Sequence, residues 1–276
     1  MKKIIKRISL IFISILAIFV IAGFVIASLF SEKIEQAVIE NIKSQVNSNL
    51  EIGNVTFKIF EDFPYSAVKI SNLHIQEVNT FGEDTLIYTK LAYIQFSPFK
   101  ILSEQFEINN ITLYDSEISI KYDLNENANY TVFNKKGKSK VDLENIKLIN
   151  SQIKYSALQS KSKIFLECKE MEINISKSID TKIKVNGKAL SHELIIYDKN
   201  YISNKNLKFN LKIENRESRI SLDKSLLQIN DLNFLLSGSL DRENYLDLVL
   251  GGENQNIRSL IQHTPEHLKH IYSSFL

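Results

Sequence analysis

The sequence predicts a mainly β protein that is anchored in a membrane, and three patterns carry this prediction. An uncharged apolar run extends from Ile8 to Phe30, residues 31–48 repeat apolar positions at helical spacing, and from Leu50 the apolar period changes to two. A period of two sends alternate side chains to opposite faces of a strand. We therefore expect a transmembrane helix and an amphipathic helix, then a long curled antiparallel sheet forming an apolar-lined groove. A short helical segment completes the chain.

The apolar run predicts a membrane anchor. At about 1.5 Å per residue, a run of this length covers the ~30 Å hydrocarbon core of a bilayer. Four cations precede it within residues 2–7 and mixed charges follow at residues 32–35, so the positive-inside rule places the N-terminus in the cytoplasm. A cleavable signal peptide is the alternative, but its apolar region spans only about 7–15 residues. A retained anchor with the remaining chain exported is the favoured interpretation.

Composition excludes several classes of function. The 34 basic and 32 acidic residues leave a net charge of +2 and are spread along the chain, which argues against a nucleic-acid partner. The single cysteine, Cys168, excludes an internal disulfide and any multi-cysteine metal site. Its apolar surroundings predict a buried inert thiol, with a reactive thiol as the alternative.

Residues 31–48 predict an amphipathic helix that continues from the anchor. Ile34, Ala37, Val38, Ile42 and Val46 recur at helical spacing among polar residues. The polar face is not strongly basic, so we expect the helix to cap the end of the following sheet rather than to rest on the membrane surface.

The clearest strand pattern is NLKFNLKIEN, where Leu207, Phe209, Leu211 and Ile213 alternate with polar residues. Comparable patterns recur from residue 55 to residue 250, which predicts a largely antiparallel sheet with one apolar and one solvated face. If two such sheets close on each other, the apolar residues form an ordinary β-sandwich core. If the sheet stays open, they line an apolar groove able to hold acyl chains, each buried methylene contributing about 0.8 kcal/mol.

Two copies of one motif stand out: INNITLYDSEISI from Ile108 and LENIKLINSQIKY from Leu143. In both, the apolar positions slip by an odd step, from Leu113 to Ile118 and from Leu148 to Ile153. An odd number of residues between two apolar positions places their side chains on opposite faces of a regular strand. Each copy therefore needs a bulge or a tight turn to return them to one face. We expect a weak repeat of strand units.

No motif supports catalysis. His263, His267 and His270 suggest metal ligands, but Thr264-Pro265 predicts a helix that starts after His263, so we expect solvated histidines. His192-Glu193 opens like a zincin motif, yet Ile196 stands where the second histidine is required. The sequence predicts no enzyme, no cofactor and no metal.

Residues 61–133 resemble the N-terminal region of the AsmA family of Bacteroidetes-type bacteria. The resemblance rests on an ordered series of features along the chain, with the anchor and the following helix in agreement. These features are Phe63-Pro64, Ser71-Asn72-Leu73, Leu91 to Phe96 followed by Pro98 and Leu102, the Ile108 to Ile120 strand pair, and Asn129-Tyr130.

The resemblance implies a single-pass inner-membrane protein of the Gram-negative envelope, with its bulk in the periplasm and a groove similar to those of bridge-like lipid transfer proteins. Phospholipids or other envelope lipids, the inner membrane and envelope proteins that extend the groove are the implied partners. Phospholipid transport toward the outer membrane and outer-membrane biogenesis are the implied functions. The expected groove-lining residues are Val55, Phe57, Ile59, Val68, Ile70, Leu73, Ile75, Ile94, Phe96, Ile111, Leu113, Ile118, Ile120, Ile146, Leu148, Leu207, Phe209, Leu211 and Ile213.

We divide the chain into a cytoplasmic tip and anchor (1–30), the amphipathic helix (31–48), the periplasmic sheet (49–252) and a helical C-terminal segment (253–276). About 14 strands at ~4.8 Å give a groove of roughly 65 Å, which predicts a partner or a longer chain to complete a bridge. The alternative is an envelope assembly factor that transports nothing and binds outer-membrane proteins or other envelope partners through its sheet edges.

Overall fold

A computed structural model of the chain describes most of the sequence. The described residues are 13–14, 18, 25, 31–40, 42–62, 65–78, 80–82, 84–96, 108–132, 144–177, 180–216, 219–241, 246–252 and 257–272. The predicted anchor from Ile8 to Phe30 and the family features Phe63-Pro64, Pro98 and Leu102 lie almost wholly outside these residues. No helix within the described residues has the length and apolar character needed to cross a bilayer.

From residue 31 onward, the described elements follow the predicted order of an amphipathic helix, a long series of strands and a helical end. Helix α1 covers residues 31–40 and 42–45. Helix α2 is Ile257–His263, and a 3-10 helix covers Glu266–Tyr272. The strands are β1 Leu50–Glu51, β2 Val55–Asp62, β3 Tyr65–Gln76, β4 Thr85–Phe96, β5 Ile108–Tyr122, β6 Asn145–Ala157, β7 Ser162–Lys177, β8 Thr181–Ile196, β9 Lys199–Ile202, β10 Lys205–Arg216, β11 Arg219–Ile229, β12 Leu232–Asp241 and β13 Leu246–Gly251.

The strands form one large, mostly antiparallel sheet that is not closed. Its order is β1, β3, β4, β5, β6, β7, β8, β10, β11, β12, β13, with β2 beside β3 and β9 beside β8. Among the described residues β1 and β13 end this path without meeting. The mainly β prediction is confirmed at this level.

The two motif copies lie side by side as neighbouring strands, β5 and β6. Asn110 pairs with Asn145, Leu113 with Leu148 and Ile118 with Ile153, so equivalent motif positions stand opposite each other. This pair is parallel, whereas the neighbouring pairs are antiparallel. Equivalent apolar residues therefore extend the same face from one strand to the next.

The predicted irregularity in both copies is confirmed. Asp115 and Asn150 each adopt a φ of 50°, and Asn72 in β3 has the same value. Asn and Asp visit this left-handed region more readily than other residues with a side chain. In the strand pairing, Lys90 in β4 and Lys169 in β7 stand at the same level as these three residues. Each of the five strands β3 to β7 therefore has one extra residue, and the five extra residues form a row across the sheet. This extra-residue row returns the apolar side chains to one face of the sheet.

Small polar side chains fill the space beside the extra-residue row. The Ser116 hydroxyl donates to Thr89 Oγ1 at 2.9 Å, and Thr89 Oγ1 donates to the Tyr114 carbonyl at 3.0 Å. Ser151 Oγ donates to the Ile149 carbonyl at 3.0 Å. Because all three residues are buried, these bonds satisfy groups that the interrupted ladder leaves without a regular partner.

Helix α1 packs on one end of the apolar face, as the capping interpretation predicts. Ile34 and Val38 are buried against Phe57, Val68, Ile70 and neighbouring residues. A second contact fixes the helix at the edge of the sheet, because the backbone amide of Phe57 donates to Glu35 Oε1 at 2.8 Å. One outward-facing donor of edge strand β2 is thus satisfied by α1.

A buried polar network ties three distant segments together. The Glu77 side chain is fully buried, and its carboxylate accepts from Lys121 Nζ at 3.1 Å and from Asn129 Nδ2 at 3.0 Å. Lys121 also pairs with Asp84 at 2.7 Å. The Asn129 amide bonds in addition to the Ser119 carbonyl and the Lys121 amide. The segment 123–132 is thereby fixed against the sheet.

The predicted helix after His263 is confirmed as the 3-10 helix that begins at Glu266. The role of Thr264 differs from its prediction, since its amide and hydroxyl both donate to the Leu260 carbonyl at the end of α2. The prediction of solvated histidines is wrong for two of the three. The His263 side chain is only 14% exposed and lies between Lys205 and Asp231, and the His267 ring packs edge-on against Tyr201 at 4.9 Å. Contacts with strands distant in sequence bury these rings.

Candidate functional site

The candidate site is the apolar face of the sheet, built from residues that stand opposite each other on successive strands. Directly paired residues share a face. One transverse line crosses ten strands with no charged residue: Val55, Ile70, Ala92, Leu113, Leu148, Met171, Gly187, Phe209, Leu227 and Phe234.

A second transverse line runs parallel to the first on the same face. It is again wholly apolar and consists of Phe57, Val68, Ile94, Ile111, Ile146, Ile173, Val185 and Leu211. Beyond the extra-residue row, Ile75, Ile87, Ile118, Ile153 and Leu166 continue the face.

Register places the predicted lining residues on this one face. Ile120 stands opposite Tyr155, Leu207 opposite Ile229 and Ile213 opposite Leu222. Ile59 lies in β2, and its side chain falls outside the described ones. Sequence reasoning missed Ala92, Met171, Ile173, Val185, Leu227 and Phe234, although the alternation of apolar residues around Met171 and Ile173 carried the signal.

The apolar face has two regions that differ in cover. Near β2 to β4, α1 lies over the face, and the Phe57 and Phe96 rings stack with centroids 6.1 Å apart. From β6 to β11, Leu148, Met171 and Phe209 are buried only by their strand neighbours and a ring of half-buried apolar residues. Among the described residues, every apolar residue in or against the buried cluster of this second region belongs to strands β5 to β11, and none belongs to a helix. We call it the uncovered apolar region.

Phe209 owes its position to a glycine on the neighbouring strand. Phe209 and Gly187 are directly paired, and a Cβ atom at Gly187 would lie 2.8 Å from Phe209 Cζ and 2.9 Å from the Glu170 carbonyl oxygen. The missing side chain therefore leaves room for the aromatic ring to lie over the backbone. The Phe209 ring therefore lies against the backbone in the middle of the uncovered apolar region.

Cys168 lies in the same region and is fully buried, as predicted for an inert thiol. Burial raises the pKa of the Cys168 thiol to about 11. At neutral pH it is protonated and behaves as a small apolar group.

The far edge of the sheet, strand β13, is apolar and exposed. Leu248, Val249 and Leu250 expose 54%, 57% and 57% of their surface. Among the described strands, only β12 pairs with β13. Strand β13 contains no lysine or proline, and no helix among the described residues pairs with or covers it as a block to addition of another strand.

The described residues offer no metal centre, since no group of three His, Cys, Asp or Glu side chains is placed to hold an ion. No family model and no curated protein matches the chain. The site must therefore be interpreted from its own geometry.

Proposed function

We propose that the protein is an inner-membrane-anchored periplasmic lipid-binding and lipid-transfer protein of the AsmA type, which takes part in phospholipid transport toward the outer membrane and in outer-membrane biogenesis. The uncovered apolar region is the observation that carries this proposal. This apolar face continues across β6, β7, β8, β10 and β11, and the half-buried residues around its buried centre remain partly accessible. An open apolar face of this kind is typical of ligand-binding grooves. Because the residues of both transverse lines are apolar, an acyl chain is a suitable ligand for this face.

The physical basis is non-specific burial along a continuous surface. Each methylene of an acyl chain that leaves water for this surface contributes about 0.8 kcal/mol, and successive transverse lines offer equivalent contacts. A lipid tail can then move along the face without breaking a specific bond, while its head group stays in water. No single side chain is essential in such a mechanism.

The test is photo-crosslinking in intact cells with a benzophenone amino acid at single positions of the full chain. We expect a crosslinker at Leu211, on the apolar face, to trap at least about tenfold more phospholipid than one at Lys212, which is exposed on the opposite face. Leu207→Asp in the same chain should lower the Leu211 adduct about tenfold, because a carboxylate on the lipid path costs several times the contribution of one methylene.

A control with the crosslinker at Phe57 should trap little lipid, because α1 covers that position. The melting temperature of the Leu207→Asp variant shows whether the sheet remains folded. Equal lipid adducts at residues 211 and 212 would contradict the proposal.

A second function is favoured by the exposed β13 edge, namely an envelope assembly factor that binds another protein by strand addition and transports nothing. Crosslinkers at Val249 that trap protein, together with an absence of lipid adducts at residue 211, would select this alternative.

A further inference from the structure

The polar face of the sheet carries a trough that the proposed lipid function does not use. It encloses about 640 Å³ and runs across β6, β7, β8, β10 and β11. Its floor is the backbone of Cys168, Ala189 and Leu207, which are paired with each other and direct their side chains to the apolar face. At ~4.8 Å per strand, the trough is roughly 20 Å long.

Two rows of side chains form the walls of the trough. The wall rich in amides is Gln152, Glu167, Leu190, Asn206 and Asn230, and the wall rich in lysines is Asn150, Lys169, Lys188, Lys208 and Gln228. Asn150 and Lys169 belong to the extra-residue row, which β8 does not continue, because the register between β7 and β8 shifts at this point. The bulge thus places the Lys169 side chain in the polar wall. Without the bulge, regular alternation would place it on the apolar face.

The charges in the trough are not balanced. Lys188 and Lys208 stand directly opposite each other on β8 and β10, an arrangement that like charges destabilise. None of the three trough lysines forms an ion pair within the described part of the chain. Glu167, the one carboxylate in the walls, bonds to His192 at 3.0 Å. On β7, Glu170 stands opposite Lys188; its ion pair with Lys147 at 2.7 Å is the main cause of its lowered pKa, and Lys188 and Lys169 contribute less.

Other lysines in the sheet and its turns have acidic partners. Lys161 pairs with Asp198 at 2.7 Å and Lys182 with Glu214 at 3.7 Å. The trough therefore has more ammonium groups than carboxylates, and these lie next to carboxamides that can both donate and accept hydrogen bonds. An anion that carries hydroxyl groups matches both walls.

We propose that the trough binds a phosphorylated sugar or polyol, with the phosphate between Lys188 and Lys208 and the hydroxyl groups on the carboxamides of Gln152 and Asn206. The phosphate removes the repulsion between the two ammonium groups and gains charge-assisted hydrogen bonds. Because the trough and the apolar region lie on opposite faces, this site is independent of the lipid proposal.

Isothermal titration calorimetry on the full chain tests the site, with glucose 1-phosphate as the probe. We expect saturable binding that is at least about tenfold tighter than that of glucose or inorganic phosphate, since only the probe engages both walls. Glycerophosphoinositol serves as a second probe that represents a lipid head group. Tighter binding of one probe than of the other identifies the source of the phosphorylated polyol, and both results support the site.

A matched pair of variants separates the trough from general surface charge. Lys188→Gln/Lys208→Gln should raise the Kd for glucose 1-phosphate about tenfold. Lys184→Gln/Lys212→Gln removes the other directly opposed lysine pair of the same two strands, which lies outside the trough, and should leave the Kd within about twofold. Equal losses in both variants, or no saturable binding by the wild type, would overturn the proposal. An undiminished melting temperature of the first variant shows that it is folded.

Discussion

Replacing Lys121 by methionine is expected to destabilise the sheet by about 3–5 kcal/mol, because it removes the cation from a carboxylate that has no contact with solvent. The Glu77 side chain is fully buried, and only Lys121 and Asn129 compensate it within the described residues. Chemical denaturation followed by circular dichroism on the full chain measures the loss. Methionine keeps most of the apolar stem of lysine, so packing changes little.

Lys161→Met is the matched control. Lys161 bonds to Asp198 at 2.7 Å, the distance at which Lys121 bonds to Asp84. Both side chains of the Lys161 pair are about two-thirds exposed, where ion pairs contribute little. We expect no measurable change in the free energy of unfolding for this variant. A similar loss in both variants would mean that the buried network has no special role.

The pH dependence of this network has a defined sign. Burial lowers the pKa of Lys121, but hydrogen bonds from its ammonium group to Asp84 and Glu77 outweigh burial and leave the pKa above its usual value of 10.5. A raised pKa in the folded state means that the contribution is complete below pH 10.5 and is lost as the pH rises through the folded value. On the alkaline side, the difference in stability between wild type and Lys121→Met should therefore shrink only in strongly alkaline solution. It should also shrink in acid, where protonation of Asp84, whose pKa Lys121 lowers, removes that ion pair.

Phe209→Ala is expected to cost about 3–5 kcal/mol, the usual loss for truncating a buried aromatic side chain. Phe209 is 8% exposed and lies over Gly187 in the centre of the uncovered apolar region. Phe234→Ala, two strands away on the same transverse line, should cost clearly less, since Phe234 is only half-buried. Equal losses would show that the glycine contact adds nothing.

A double-mutant cycle tests the Gly187 contact directly. Gly187→Ala alone should destabilise by about 1–3 kcal/mol, because its methyl group overlaps the Phe209 ring. In the Phe209→Ala background the same change should cost less, and the difference reports the coupling between the two residues. Part of the cost persists in both backgrounds, since the Glu170 carbonyl is also close.

Periodicity alone predicted the strands and their apolar face, because alternation is a local property of the chain. Leu207, Phe209 and Leu211 lie on the face that their spacing predicts. The odd steps after Leu113 and Leu148 likewise predicted the irregular backbone now seen at Asp115 and Asn150. Neither inference needed knowledge of which strands are neighbours.

Features that depend on distant pairing could not be predicted in this way. The parallel pairing of β5 with β6 depends on the path of the intervening chain, which residues 123–144 do not encode in any periodic pattern. Glu77 is 52 residues from Asn129 and 44 from Lys121, so nothing local marks it as buried. The trough depends on the alignment of five strands and on a register shift between β7 and β8.

The extra-residue row makes this sheet sensitive to the number of residues in each strand. Loss of Asp115 alone would send Ile118 and Ile120 to the solvated face while their neighbours Ile153 and Tyr155 stayed in place, because one residue reverses every later side chain of the strand. Substitution at these positions has no such effect, provided that the new residue tolerates the backbone. Sequence length between strand ends is therefore under stricter constraint than residue identity, and single-residue insertions and deletions should be far more harmful here than exchanges.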